Sequence, residues 1–146
     1  MLSQTIMLIL ALIGSSEPEG HIACVFDRGA DGRQAGVVSL ADQQVAYVGA
    51  PSSAISPPVW SPDGAWLAFE CGSNGQSRIY AVRPDNTDGR MLPAQNPWNQ
   101  DPAWSPLPEE KGREYHPRIA YTAHEGEPQA STIHVWDMDA SQETVW

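Results

Sequence analysis

Apolar positions along this chain fall in short runs separated by turn-forming residues. The runs include Ile22-Ala23-Cys24-Val25-Phe26, Val37-Val38-Ser39-Leu40, Trp66-Leu67-Ala68-Phe69, Ile79-Tyr80-Ala81-Val82, Ile119-Ala120-Tyr121 and Ile133-His134-Val135-Trp136. Each has the length of a strand, and the body of the chain lacks the sustained helical spacing of apolar positions. Turn residues interrupt the runs about every 8 to 12 positions, the punctuation of an antiparallel array. Ser61-Pro62-Asp63-Gly64 predicts a tight turn: proline presets φ, and glycine takes the conformation other residues resist. Cys71 to Gln76 and Asp85 to Gly89 predict two further turns. The expected class is all-β.

The pattern repeats. Pro58-Val59-Trp60-Ser61-Pro62 returns as Pro102-Ala103-Trp104-Ser105-Pro106, 44 positions further on. Behind each copy come two apolar strands, Trp66–Phe69 and Ile79–Val82 in one, Arg118–Tyr121 and Ile133–Trp136 in the other. The segment from Leu107 to Pro117 lengthens a connection in the later copy, where insertions are best tolerated. An earlier copy lacks the Trp-Ser-Pro segment but keeps His21–Phe26 and Gly36–Leu40, at offsets of 45 and 42 from the middle copy. A repeated four-stranded unit of about 44 residues has the size of a propeller blade.

Trp60-Ser61-Pro62-Asp63-Gly64, followed by Leu67-Ala68-Phe69 and Ile79-Tyr80, resembles the TolB-like (WD40-like) propeller repeat. The resemblance covers roughly residues 20 to 146 and is strongest in the middle copy. The last copy carries Pro106-Leu107 where the motif has Pro-Asp-Gly, so its first hairpin should differ. Val135-Trp136-Asp137 matches the WD signature in one copy only, without its Gly-His element. The expected fold is a partial β-propeller of about three four-stranded antiparallel blades, at about 20–50, 55–93 and 100–146 within a repeat region spanning 17–146. Three blades do not close a ring, since propellers usually carry about four to eight. The chain is then a fragment of a longer propeller, half of a homodimer completing a six-bladed ring, an open stack, or a partial ring completed by another polypeptide.

This register assigns roles to the cysteines and tryptophans. Cys24 aligns with Phe69, and Cys71 lies two positions beyond Phe69, so both point to the same face of their sheets. Equivalent faces of neighbouring blades do not meet, and no Cys24–Cys71 disulfide is expected. Trp60 and Trp104 recur at matched positions and should pack blade on blade, whereas Trp98, Trp136 and Trp146 are free to form a binding surface.

Charge narrows the partners. Against 18 acidic residues stand 8 basic ones, a formal net charge of -10. Nucleic acid and anionic membrane surfaces call for a basic stripe, so neither is an expected partner. Ile6 to Ile13 is an unbroken apolar run followed by Gly14-Ser15-Ser16, which fits a signal peptide over 1–16 and is too short to span a bilayer. No Lys or Arg precedes it.

Catalytic chemistry finds little footing. His21, His116, His124 and His134 show no zinc spacing, and no Cys-x-x-Cys occurs. Asp27–Gly32 and Asp85–Gly89 lack the ligand alternation and closing glutamate of an EF-hand. There is no Gly-x-Ser-x-Gly elbow, and Glu109-Glu110 is an adjacent pair in a charged loop. No catalytic, metal or cofactor-binding residue is assigned, and no cofactor is expected.

The resemblance implies a non-catalytic protein-binding or scaffold module, periplasmic or extracellular, taking a protein or peptide partner. The alternative is the gating propeller of a prolyl-oligopeptidase-like serine hydrolase whose catalytic domain lies outside this sequence. A propeller lyase acting on acidic sugars would call for clustered His and Arg, which are scattered here.

Overall fold

The computed structural model describes residues 20–93, 96–124 and 131–146. The expected signal peptide, 1–16, lies outside the described residues. Twelve strands are present among the described residues: β1 (His21–Asp27), β2 (Arg33–Ser39), β3 (Val45–Ser52), β4 (Ala54–Ile55), β5 (Val59–Trp60), β6 (Leu67–Ser73), β7 (Gln76–Val82), β8 (Arg90–Met91), β9 (Trp98–Trp104), β10 (Arg118–His124), β11 (Ser131–Asp137) and β12 (Gln142–Val145). The class is all-β, with one short 3-10 turn at Gly29–Asp31.

The strands form three antiparallel units. β1-β2-β3 is a separate sheet, β4 and β5 both edge β6, which continues to β7 and β8, and β9-β10-β11-β12 follow in order. The middle and last units are joined by one parallel bridge, Ser77 to Trp98. The sheets do not close on themselves. The first unit shows three strands among the described residues where four were expected.

Local chemistry explains the interruptions. Pro57 and Pro58 separate β4 from β5 because neither can donate a ladder hydrogen bond. Ser56 bridges the gap: its N–H donates to the Glu70 carbonyl at 3.1 Å and its Oγ accepts from the Glu70 N–H at 2.9 Å. The expected turn at Ser61–Gly64 forms, with Gly64 at φ 69 and its N–H donating to the Ser61 carbonyl at 2.8 Å. Ser61 Oγ accepts from the Trp66 N–H at 2.9 Å, and Asp63 Oδ1 accepts from the Ala65 N–H at 3.1 Å. In the last unit Tyr115 replaces that turn chemistry, its hydroxyl donating to the Ser105 carbonyl at 2.9 Å. Between β6 and β7, Asn74 and Gly75 both have positive φ, as a two-residue hairpin turn requires.

Packing is face to face between units. Ala23, Ala35, Val37 and Val48 of the first unit meet Leu67, Phe69 and Val82 of the middle one. The other face of the middle unit carries Ala68, Ile79 and Ala81 against Ile119, Tyr121, Ala123 and Trp136. Full burial of each large side chain here contributes roughly 1.5–3 kcal/mol. Gly49, at φ 66, lets β3 approach closely: a Cβ there would meet the Tyr80 ring at 3.1 Å and Phe69 at 3.2 Å.

The pairings also correct the repeat register in the first unit. Ala23 pairs with Val37 as Ala68 pairs with Ala81, so the second-strand offset is 44 (37 to 81) rather than 42. Apolar similarity alone fitted Leu40 to Val82, because Val37, Val38 and Leu40 are interchangeable by hydropathy. The ladder places Val38 there instead.

Candidate functional site

The far face of the last unit is the first candidate. By strand pairing, Ile79 opposite Glu70 corresponds to Ile133 opposite Thr122. Ile79 is 1% exposed and Ile133 is 48% exposed. The neighbours follow suit: Ala68 and Ala81 are buried, whereas their counterparts Ala120 and Val135 are only partly so. Trp146 extends this face, its N–H donating to the Ile133 carbonyl at 2.8 Å, and its side chain is largely exposed. Trp98, opposite His124, adds a second exposed ring. A strand pattern that is buried inside the stack is thus open at this end.

A cleft between the first two units is the second candidate. A cavity of about 350 Å³ is lined on the first unit by Ala50, Pro51 and Ser52, and on the middle unit by Phe69, Tyr80 and Met91. Cys71 and Arg78 also line it on the latter side. Cys71 Sγ lies 3.8 Å from Met91 Sδ. Burial pushes the Cys71 thiol up, with Arg78 opposing the shift. A second hollow of about 340 Å³ shares Cys71 and Gly72 and is more polar, with Arg33, Ser56, Glu70 and Ser77 in its lining. Burial raises the Glu70 carboxyl above its ordinary range, although Glu70 Oε1 accepts the Asp101 N–H at 2.8 Å.

A buried polar cluster lies between the middle and last units. Tyr121 stacks on His134 with ring centroids 5.4 Å apart, and its hydroxyl donates to the Glu143 carboxylate. His134 Nε2 lies 2.9 Å from Thr132 Oγ1, and its Nδ1 lies 3.0 Å from Glu143 Oε1. That sequence of groups has the outline of a Thr-His-Glu relay. However, the Nδ1–carboxylate contact is not aligned as a hydrogen bond, and the carboxylate is taken by Tyr121. Neither cavity described above reaches Thr132. The cluster is a packed polar core in which His134 Nδ1 has no aligned partner, and Tyr121 is held above the ordinary phenol range by burial and by the Glu143 carboxylate.

The remaining sequence candidates are dispersed. His116 Nδ1 sits 2.9 Å from Asp139 Oδ2 at the surface, and His124 Nδ1 sits 2.9 Å from Ser131 Oγ. In the Asp27 and Asp85 loops the carboxylates brace their own turns, accepting the N–H of Gly29 at 2.8 Å and of Thr87 at 3.0 Å. Among the described residues no group of three or more His, Cys, Asp or Glu converges as a metal set. Trp60 and Trp104 pack against successive inter-unit cores, as their recurrence requires. Trp136 corrects the expectation that it is free for binding: it is core, facing the middle unit, with Nε1 buried. Cys24 is buried and Cys71 half-buried, both as free thiols. The roles of Arg78 and Glu143 left no mark in the sequence, since each depends on residues distant along the chain, the 96–97 backbone for Arg78 and Tyr121 for Glu143.

No family model matches the chain, and no curated protein matches it. Among solved structures, a TolB candidate from Agrobacterium tumefaciens superposes with a TM-score of 0.62 at 15% identity, over 89% of this chain and 46% of that one. TolB from Acinetobacter baumannii gives a TM-score of 0.61 at 16% identity, over 93% of this chain and 32% of that one. The fold is TolB-like. The chain spans less than half the length of these TolB structures, and at such identity the likeness concerns fold alone.

Proposed function

We propose that this protein is a non-catalytic protein-binding module of the cell envelope or exterior, built from TolB-like propeller blades. In this reading the three units are blades at about 20–50, 55–93 and 100–146, and residues 1–16 direct export. The partner is a protein that completes the stack, with a second copy of the chain closing a six-bladed ring.

One observation carries the reading: Ile79 and Ile133 hold equivalent places, yet one is 1% and the other 48% exposed. A face of this composition, left open beside its buried counterpart, marks an interaction surface. The TolB-like fold and the apolar Ile6–Ile13 run support the placement in the envelope. Among the described residues no helix is long and apolar enough to cross a membrane.

Light scattering after size exclusion, on a chain starting at Glu17, tests the pairing. A homogeneous species near twice the monomer mass is expected, reverting to monomer in Ile133→Asp. A folded wild-type monomer at all concentrations would refute pairing with a second copy.

A further inference from the structure

The cleft between β3 and the β6–β7 hairpin holds a cation, Arg78, whose charge no carboxylate among the described residues neutralises. Arg78 Nη1 donates to the Asn96 carbonyl at 2.7 Å and to the Ser77 and Pro97 carbonyls at 3.3 Å each. Those bonds fix the guanidinium plane. The other guanidinium nitrogens make no hydrogen bond among the described residues, and none is buried without a partner. No carboxylate of the described residues lies within ion-pairing distance of Arg78, in a chain with 18 acidic residues. Arg83 pairs with Asp88 and Arg118 with Asp137, while Arg28, Arg33, Arg90 and Arg113, like Arg78, have no carboxylate partner among the described residues; what sets Arg78 apart is its place in the lining of this cleft.

Apolar surface adjoins this cation. Phe69 and Tyr80 lie 5.5 Å apart by ring centroid, with the Cys71 and Met91 sulfurs beside them in the same lining. A volume of about 350 Å³ admits one large side chain and the atoms that flank it. Aromatic and sulfur groups accept such a side chain by shape and polarisability. A guanidinium with free, pre-oriented N–H groups selects a carboxylate, to which it donates two parallel hydrogen bonds.

We propose that this cleft binds the C-terminal carboxylate of a peptide whose last side chain is large and apolar. The carboxylate meets Arg78, and the side chain enters between Tyr80, Met91 and Pro51. Capture of chain ends is an established mode of peptide recognition. The site is separate from the open face of the last unit and works in a monomer or a dimer.

The probes are N-acetyl-Gly-Phe with a free carboxylate, the same peptide as its C-terminal amide, and 3-phenylpropanoate. Binding is read by calorimetry and by protection of Cys71 from a small maleimide, with buried Cys24 as the unreactive control. The free-acid peptide should bind at least about tenfold tighter than the amide, a difference within reach of one charge-assisted contact. It should also slow Cys71 labelling, and Arg78→Met should abolish both effects. Because Arg78 also braces the 96–97 backbone, Met91→Glu serves as a second variant at a half-exposed edge position. Its carboxylate should compete for Arg78 and weaken the acid at least about fivefold without unfolding the protein. Equal binding of acid and amide, or binding that leaves Cys71 labelling unchanged, overturns the proposal. So does the absence of binding, or 3-phenylpropanoate binding as tightly as the peptide, which would assign the cleft to small acids.

Discussion

Tyr121 shows how a single residue can set the conditions under which the molecule stays folded. Its hydroxyl is buried between units and donates to Glu143, so ionisation would set two negative oxygens together. The folded state therefore holds the phenol above its ordinary value of about 10. A group whose proton is held more tightly when folded contributes stability that is complete below the unfolded value and lost as pH rises past it. Urea unfolding between pH 8 and 11 should show stability falling steeply above about pH 10, with a flatter profile in Tyr121→Phe. Parallel decline in both proteins would mean that another group governs the alkaline limit. None of this was legible in the sequence. Tyr121, His134 and Glu143 come from three strands, and a strand pattern shows which face a residue occupies but not which polar atom it meets. Trp60 and Trp104 were legible because recurrence at a fixed spacing reports an equivalent environment.

At the scale of elements, turns were the most readable part of the chain and joints the least. Asn74-Gly75 and Ser61-Pro62-Asp63-Gly64 carry their conformations in their own residues. The joint between β7 and β9 depends on Asn99, which sits between polar partners in a strand of mixed character. Asn99 is 1% exposed, and its Nδ2 donates to the Ser77 carbonyl at 3.2 Å and the Asn96 carbonyl at 2.9 Å. Its N–H donates to Ser77 Oγ, and its carbonyl accepts from that hydroxyl, both at 3.0 Å. Asn99→Ala removes one of two side-chain donors from each of these carbonyls, leaving Arg78 Nη1 as the only side chain on both, and should cost about 1–3 kcal/mol, measured by chemical denaturation. A loss below about 0.5 kcal/mol would show that water replaces the amide at little cost. The β4–β5 break follows the same division: Pro57-Pro58 announces an interruption, while the Ser56 hydroxyl that spans it is visible only in three dimensions.

Across the whole molecule, equivalent positions have unequal surroundings, and this gives the stacking a direct test. Ile79→Ala removes side-chain volume from a filled core and should destabilise by about 2–5 kcal/mol. Ile133→Ala, at the same place in the next unit, should cost under about 0.5 kcal/mol in the monomer, as exposed substitutions do. Thermal melts at low protein concentration compare the two, and similar losses would place Ile133 inside a core. The repeat predicted the stack, but not the unequal seams within it. The first unit touches the middle one through packed side chains and through groups such as Ser52 Oγ, which donates to the Gly72 carbonyl at 2.5 Å. The middle and last units share a 9-stranded sheet with a backbone bridge and the buried Asn99. Under mechanical load the molecule therefore has a built-in tear line: β1–β3 would shear away first, and the remaining strands would bear the force together.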